Sequence, residues 1–183
     1  MITRRKFLAI VLLAVTILSI AGCGSKNTDE LTGKWAYIHS TDEPALTIKS
    51  NGTAKYKGNS YSYSRDDSYI YLSSKNENLS LRFEKEGDKI LLYVPTTYEF
   101  SDGQGEPQGV VGYWEDKANN WSYQFTDDYQ FVEDGYFVGT YDVNPEGSIT
   151  LTYNDDFTKT IIYYRQEGTK LMIEYPWPMV KMK

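Results

Sequence analysis

From Leu31 onward apolar and polar residues alternate with period two, and no segment keeps helical spacing for more than a turn or two. That pattern restricts the chain to antiparallel sheet. Leu79, Leu81 and Phe83 alternate with Ser80 and Arg82; Ile90, Leu92 and Val94 share a face; Ile149, Leu151 and Tyr153 alternate with threonines. Between such runs stand Asn51-Gly52, Gly58-Asn59, Asp66-Asp67, Gly87-Asp88, Pro145-Glu146-Gly147, Asn154-Asp155-Asp156 and Gly168. These residues supply positive φ values or bond to their own backbone, so they read as tight turns in a meander of short strands. Seventeen tyrosines fit the same reading, because a ring with a polar tip suits a pleated surface that is apolar on one side and wet at its edge.

The meander occurs twice, at an offset of about 79 residues. Leu31-Thr32-Gly33-Lys34-Trp35 matches Val110-Val111-Gly112-Tyr113-Trp114, and Leu46-Thr47-Ile48 matches Tyr123-Gln124-Phe125. Ile70 and Leu72 answer Ile149 and Leu151, Gly87 to Leu91 answers Gly168 to Met172, and Val94-Pro95 falls opposite Tyr175-Pro176. The expected fold is therefore all-β, with two tandem antiparallel meander modules over residues 31–95 and 110–183, joined by a linker over 96–109. Whether the modules close as barrels or half-barrels, or merge into one sheet, is open at this level.

Each copy opens on Gly-x-Trp and resembles the small lipocalin-like β-barrel modules of secreted and lipid-anchored proteins of Gram-positive bacteria. The resemblance rests on Leu31 to Trp35, the strand and Asn-Gly turn within Leu46 to Lys55, Tyr61-Ser62-Tyr63 and Gly87 to Leu91. The second copy departs from it where Asp127-Asp128-Tyr129 replaces the Asn-Gly turn. The resemblance implies that Trp35 and Trp114 each close one end of a barrel, and it implies no activity.

The N-terminal segment carries a different message. Arg4, Arg5 and Lys6 precede an uncharged run from Phe7 to Ile20, followed by small Ala21 and Gly22 and then Cys23. Fourteen apolar-run residues are fewer than the roughly 20 that span a bilayer as a helix, so the run reads as an export signal rather than an anchor. Ile20-Ala21-Gly22-Cys23 resembles the lipobox of bacterial lipoproteins, which implies cleavage after residue 22 and a lipid on the Cys23 thiol. Two acyl chains hold a protein stably on a membrane where one would not. The twin arginines are read as ordinary signal charge, since the apolar run favours the general secretory route. Residues 1–22 are then the signal peptide, residues 23–30 a lipidated flexible tether, and the location the extracytoplasmic face of the cell membrane.

Composition excludes several functions. The chain has a formal net charge of −6, and the signal segment takes Arg4, Arg5 and Lys6 with it, so the mature 161 residues carry −9. Such a surface repels phosphate backbones, which argues against nucleic acid as a partner. His39 is the only histidine and Cys23 the only cysteine, leaving no Cys-His site and no His/Cys zinc cluster. His39 reads as a solvated strand-end residue, and the aspartate pairs as turn residues rather than catalytic acids or calcium ligands. No enzyme, metal or cofactor is expected, and a hydrolase is the least favoured reading. A binder of a small apolar ligand or a glycan is favoured, with a structural lipoprotein or one docking an envelope protein as the alternative. The candidate ligand residues are Tyr113, Trp114, Trp121, Tyr123 and Trp177, where rigid aromatic area is densest; Trp114 is expected to serve as a plug rather than a ligand platform.

Overall fold

The structure, a computed structural model, describes residues 29–101, 107 and 109–183. These residues form strands and turns only. The strands are β1 (Gly33–Tyr37), β2 (Leu46–Lys49), β3 (Thr53–Tyr56), β4 (Asn59–Arg65), β5 (Tyr69–Ser73), β6 (Asn78–Glu86) and β7 (Lys89–Phe100). They continue as β8 (Gly112–Asp116), β9 (Trp121–Phe125), β10 (Gln130–Glu133), β11 (Phe137–Asn144), β12 (Ser148–Tyr153), β13 (Lys159–Glu167) and β14 (Lys170–Lys181).

Each strand pairs antiparallel with the next, and β1 pairs with β14, so one meandering sheet closes on itself. A further pairing changes the architecture. β7 and β14, each twelve residues long, pair from Lys170↔Glu99 to Val180↔Lys89. This long ribbon runs across the closed sheet and divides it into two rings. Ring one holds β1 to β6, the first half of β7 and the second half of β14, where Trp35 faces Lys181. Ring two holds β8 to β13, the second half of β7 and the first half of β14, where Trp114 faces Phe100.

The expected boundaries are corrected accordingly. Residues 96–100, expected in a linker, are the end of β7 and belong to ring two. The sheet is continuous rather than two sheets in tandem, because each ring is closed by half of the other's terminal strand. Pro95 and Pro176 sit mid-ribbon, where neither strand has a third neighbour in the ladder, so a missing N–H is tolerated. The end of the expected tether is also docked: the Asp29 carboxylate accepts from the Tyr63 hydroxyl at 2.5 Å and from Arg65 Nε at 2.9 Å, and Glu30 lies 3.3 Å from Lys85 Nζ.

Alternation explains the two cores. Ile90, Leu92 and Val94 of β7 share one face with Tyr98 and Phe100, and the first three pack in ring one while the last two pack in ring two. Both rings therefore stand on the same face of the ribbon. Each is filled by its own side chains: Trp35, Leu46, Ile48, Ile70, Leu72 and Leu81 are buried in ring one, and Trp114, Phe125, Phe131, Ile149, Leu151 and Ile162 in ring two. Corresponding strands keep the same register, with Trp35 opposite Leu46 and Trp114 opposite Tyr123. Gly112 has φ 132°, and a Cβ there would lie 2.3 Å from Phe100 Cε2, so only glycine lets the ribbon approach β8 this closely. The turn that lacks Asn-Gly keeps its geometry. Tyr129, at φ 62°, stands where Gly52, at φ 77°, stands in ring one, and its carbonyl accepts from Tyr141 N at 2.9 Å as that of Gly52 does from Tyr63 N.

Candidate functional site

Side chains on the ring-bearing face of the ribbon are buried in a ring toward either end but only partly covered at the middle. There Val94, at the margin of ring one, and Tyr175, at the margin of ring two, form with Thr96 and Trp177 the floor of a valley between the two rings. The outer part of the valley is a cleft of about 480 Å³, walled by Tyr37 and Lys57 from ring one and by Asp116, Asn119 and Trp121 from ring two. Thr96, Trp121 and Trp177 also border an inner chamber of about 220 Å³ that runs toward ring two and is lined by Tyr98, Tyr123, Tyr175, Glu133 and Asp134.

Three of the five expected ligand residues meet here. Trp121 and Trp177 are 38% and 39% exposed and border both chambers, and Tyr123 lines the inner one. Trp114 is not available to a ligand: it is fully buried and its indole N–H donates to the Val110 carbonyl at 2.7 Å. Trp35 is held in the same way by Leu31, at 2.8 Å. Tyr113 follows alternation onto the opposite face of β8 from Trp114 and lines neither chamber. Cys23 lies outside the described residues. His39 is exposed in the turn after β1.

The aspartate pairs serve their turns. Asp66 accepts from the backbone N–H of Ser68 and Tyr69 at 2.8 and 2.7 Å, Asp128 accepts from Gln130 Nε2 at 2.8 Å, and Asp156 accepts from Thr158 N at 2.9 Å. No group of three His, Cys, Asp or Glu is placed to hold a metal ion among the described residues.

Glu133 is the chemically unusual member of the site. Its carboxylate accepts from the Tyr123 hydroxyl at 2.6 Å and from the Tyr153 hydroxyl at 2.5 Å. Burial holds it above the usual glutamate range, outweighing the lowering effect of those two donors, and neighbouring Asp134 pushes it the same way. Burial likewise raises the hydroxyls of Tyr98, Tyr123, Tyr153 and Tyr175, with the Glu133 charge adding to each, so all four stay protonated near neutral pH. Asp134 is itself fixed by the Ser122 N–H at 2.7 Å, and Asp116 by its own turn, through Asn119 Nδ2 at 2.6 Å.

The titration of Glu133 has a stability consequence with a definite sign. A carboxyl whose folded value is raised disfavours folding once ionised, so its full penalty is present above the folded value and is absent below 4.5, the ordinary glutamate value. The groups around it are Asp134 in the turn directly after β10, Asp116 at the end of β8 near Tyr98, and the tyrosines on β7, β9, β12 and β14, none of which is cationic. Glu133→Gln is therefore expected to melt higher than wild type at pH 7.5 and to converge with it at pH 4. Thermal unfolding followed by circular dichroism at the two pH values checks this; a Gln variant that melts lower at pH 7.5 would contradict it.

Several of these residues were legible in principle. Alternation places Glu133 on the inward face with Phe131, and Asp134-Gly135 is a turn dipeptide of the same kind as Lys57-Gly58, with positive φ at all four positions. Tyr37, Thr96, Tyr98 and Tyr175 carry no local signal, because only the crossing of β7 and β14 brings them together. No family model matches this sequence, and comparison with curated proteins and with solved structures finds no match.

Proposed function

We propose that this chain is a non-catalytic, lipid-anchored protein of the cell envelope, held on the extracytoplasmic face through Cys23, that binds a glycan in the valley between its rings. The lipoprotein reading and the likeness to lipocalin-like modules rest on the motifs of the sequence. The glycan reading rests on one observation: two half-exposed tryptophans, Trp121 and Trp177, border one cleft whose polar groups are Thr96, Thr97, Asn119, Asp116 and Lys57, with Tyr37, Val94 and Pro95 completing the lining. Flat aromatic area beside hydroxyl, amide and charged groups suits a sugar ring, with its apolar face and polar rim. An apolar ligand is less well suited, since the ring interiors are occupied by packed side chains.

The four tryptophans make the test direct. Trp35 and Trp114 are buried at 1% and 0% exposure, so a fluorescence change on titration reports Trp121 and Trp177. Envelope oligosaccharides are expected to shift the emission, Trp121→Ala and Trp177→Ala to weaken binding at least tenfold, and fatty acids to leave the spectrum unchanged. A spectrum indifferent to every saccharide would leave a protein partner as the better reading. For the anchor, Cys23→Ala is expected to abolish membrane retention completely. Detergent partitioning and intact-mass measurement check this, and a cleaved variant still fractionating with membrane would overturn the lipid reading.

A further inference from the structure

The inner chamber differs from the cleft outside it in having a carboxylate at its base and no counter-charge. Among the described residues no ion pair within 4.0 Å involves Glu133, Asp134 or Asp116. A half-buried carboxylate is costly to desolvate without a cation, and aromatic faces around it attract cations through their quadrupoles. Tyr98 and Tyr123 meet edge to face at 5.4 Å, and Tyr175 and Trp177 lie 5.7 Å apart, so the chamber is walled by rings on two sides.

The molecule contains its own comparison. Position for position in the register, ring one carries Leu46 where ring two carries Tyr123, and Tyr56 where ring two carries Glu133, since Trp35↔Leu46↔Tyr56 corresponds to Trp114↔Tyr123↔Glu133. On the ribbon, Met179 faces Ile90 where Tyr98 faces Leu171, and Val94 faces Tyr175 directly. At these places ring one carries Leu46, Met179 and Val94 and, in the place of the acid, only the phenol of Tyr56, so closing the barrel does not require a carboxylate there. The chain also shows what such a cage holds when it supplies the guest: the Arg82 guanidinium lies 3.8 Å from the centre of the Tyr163 ring and 4.9 Å from that of Tyr69, with the Glu174 carboxylate 3.6 Å away. Around Glu133 the same chemistry is present without a resident cation.

We infer that the inner chamber binds an organic ammonium group, seated against the Glu133 carboxylate between Tyr98, Tyr123, Trp121 and Trp177. The inference deepens the glycan reading, and rests on it only for the part of the ligand outside the chamber: a saccharide in the cleft would present an amino group inward. The shared chemistry is an alkylammonium, whether it comes from an amino sugar or from a choline-type head group.

Calorimetric titration of the full mature protein tests this with two matched pairs of probes. Choline against its uncharged isostere 3,3-dimethylbutan-1-ol separates charge from shape, and glucosamine oligomers against N-acetylglucosamine oligomers at pH 6 separate a cationic from a neutral saccharide. The charged member of at least one pair is expected to bind at least tenfold more tightly than the neutral one, and the pair that responds identifies the source. Glu133→Gln keeps the shape of the side chain and is expected to remove that preference, so that within the variant the charged and neutral members of the pair bind alike; its melting curve shows that it folds. Equal binding of charged and neutral members, no binding of any cation, or a charge preference that survives Glu133→Gln would each overturn the inference. Choline binding that depends on Glu133, with no saccharide response, would uphold the ammonium site and remove the glycan reading. Binding of neutral oligomers alone would do the reverse.

Discussion

Trp114→Ala is expected to destabilise both rings together, not ring two alone. The indole is fully buried, donates to the Val110 carbonyl and meets the Phe100 ring edge-on at 5.2 Å. Truncating a buried tryptophan costs about 3–5 kcal/mol, a large part of the roughly 5–15 kcal/mol that holds a typical domain. Phe100 ends β7, and the first half of β7 lies in ring one, so the loss is carried into that ring along one continuous strand. Urea unfolding followed by far-UV circular dichroism and by tryptophan emission is expected to give one coincident transition, displaced to lower urea, in the variant as in the wild type. Two separated transitions, with ring one retained, would show that the ribbon does not couple the rings. Trp35→Ala is expected to behave in the same way, since its indole is held by Leu31 as that of Trp114 is by Val110.

Residues 29–95 alone are expected not to fold, although they contain a complete meander. Ring one closes only when Met179, Val180 and Lys181 of β14 pair with Tyr37, Ala36 and Trp35. Without β14 both β1 and β7 become open edges, and Trp35, Leu92 and Ile90 lose the cover of Met179. Residues 109–183 alone face the reciprocal problem, since β8 has no partner in place of Glu99 and Phe100. Amide proton spectra of each piece are expected to show the narrow dispersion of an unfolded chain. Residues 29–101 mixed with 109–183 are expected to recover wide dispersion, because together they supply both strands of the ribbon. A well-dispersed spectrum from either piece alone would contradict the structure's account of closure.

The sequence alone determined the strands, most of the turns, the all-β class and the correspondence between Trp35 and Trp114, because period-two alternation, Gly-Asp-Asn punctuation and Gly-x-Trp are local signals. It also singled out Trp121 and Trp177, since large aromatics in short polar surroundings are conspicuous by composition. The crossing of β7 and β14 was decided only by tertiary structure. Thr96 to Phe100 read as the start of a polar linker, yet Thr96, Tyr98 and Phe100 alternate onto the ribbon's inner face and pair with Ile173, Leu171 and Trp114. The pairing with β14 joins Thr96 to Ile173 and Tyr98 to Leu171 across most of the second half of the chain, and no local preference encodes which distant strand will supply a hydrogen-bonding edge. The site follows from the same step. Alternation can place Glu133 and Tyr175 on an inward face, but whether such a face is packed, as at Leu46 and Met179, or borders a cleft, as at Tyr123 and Trp177, depends on where the sheet closes, and closure is a property of the assembled ladder rather than of any one strand.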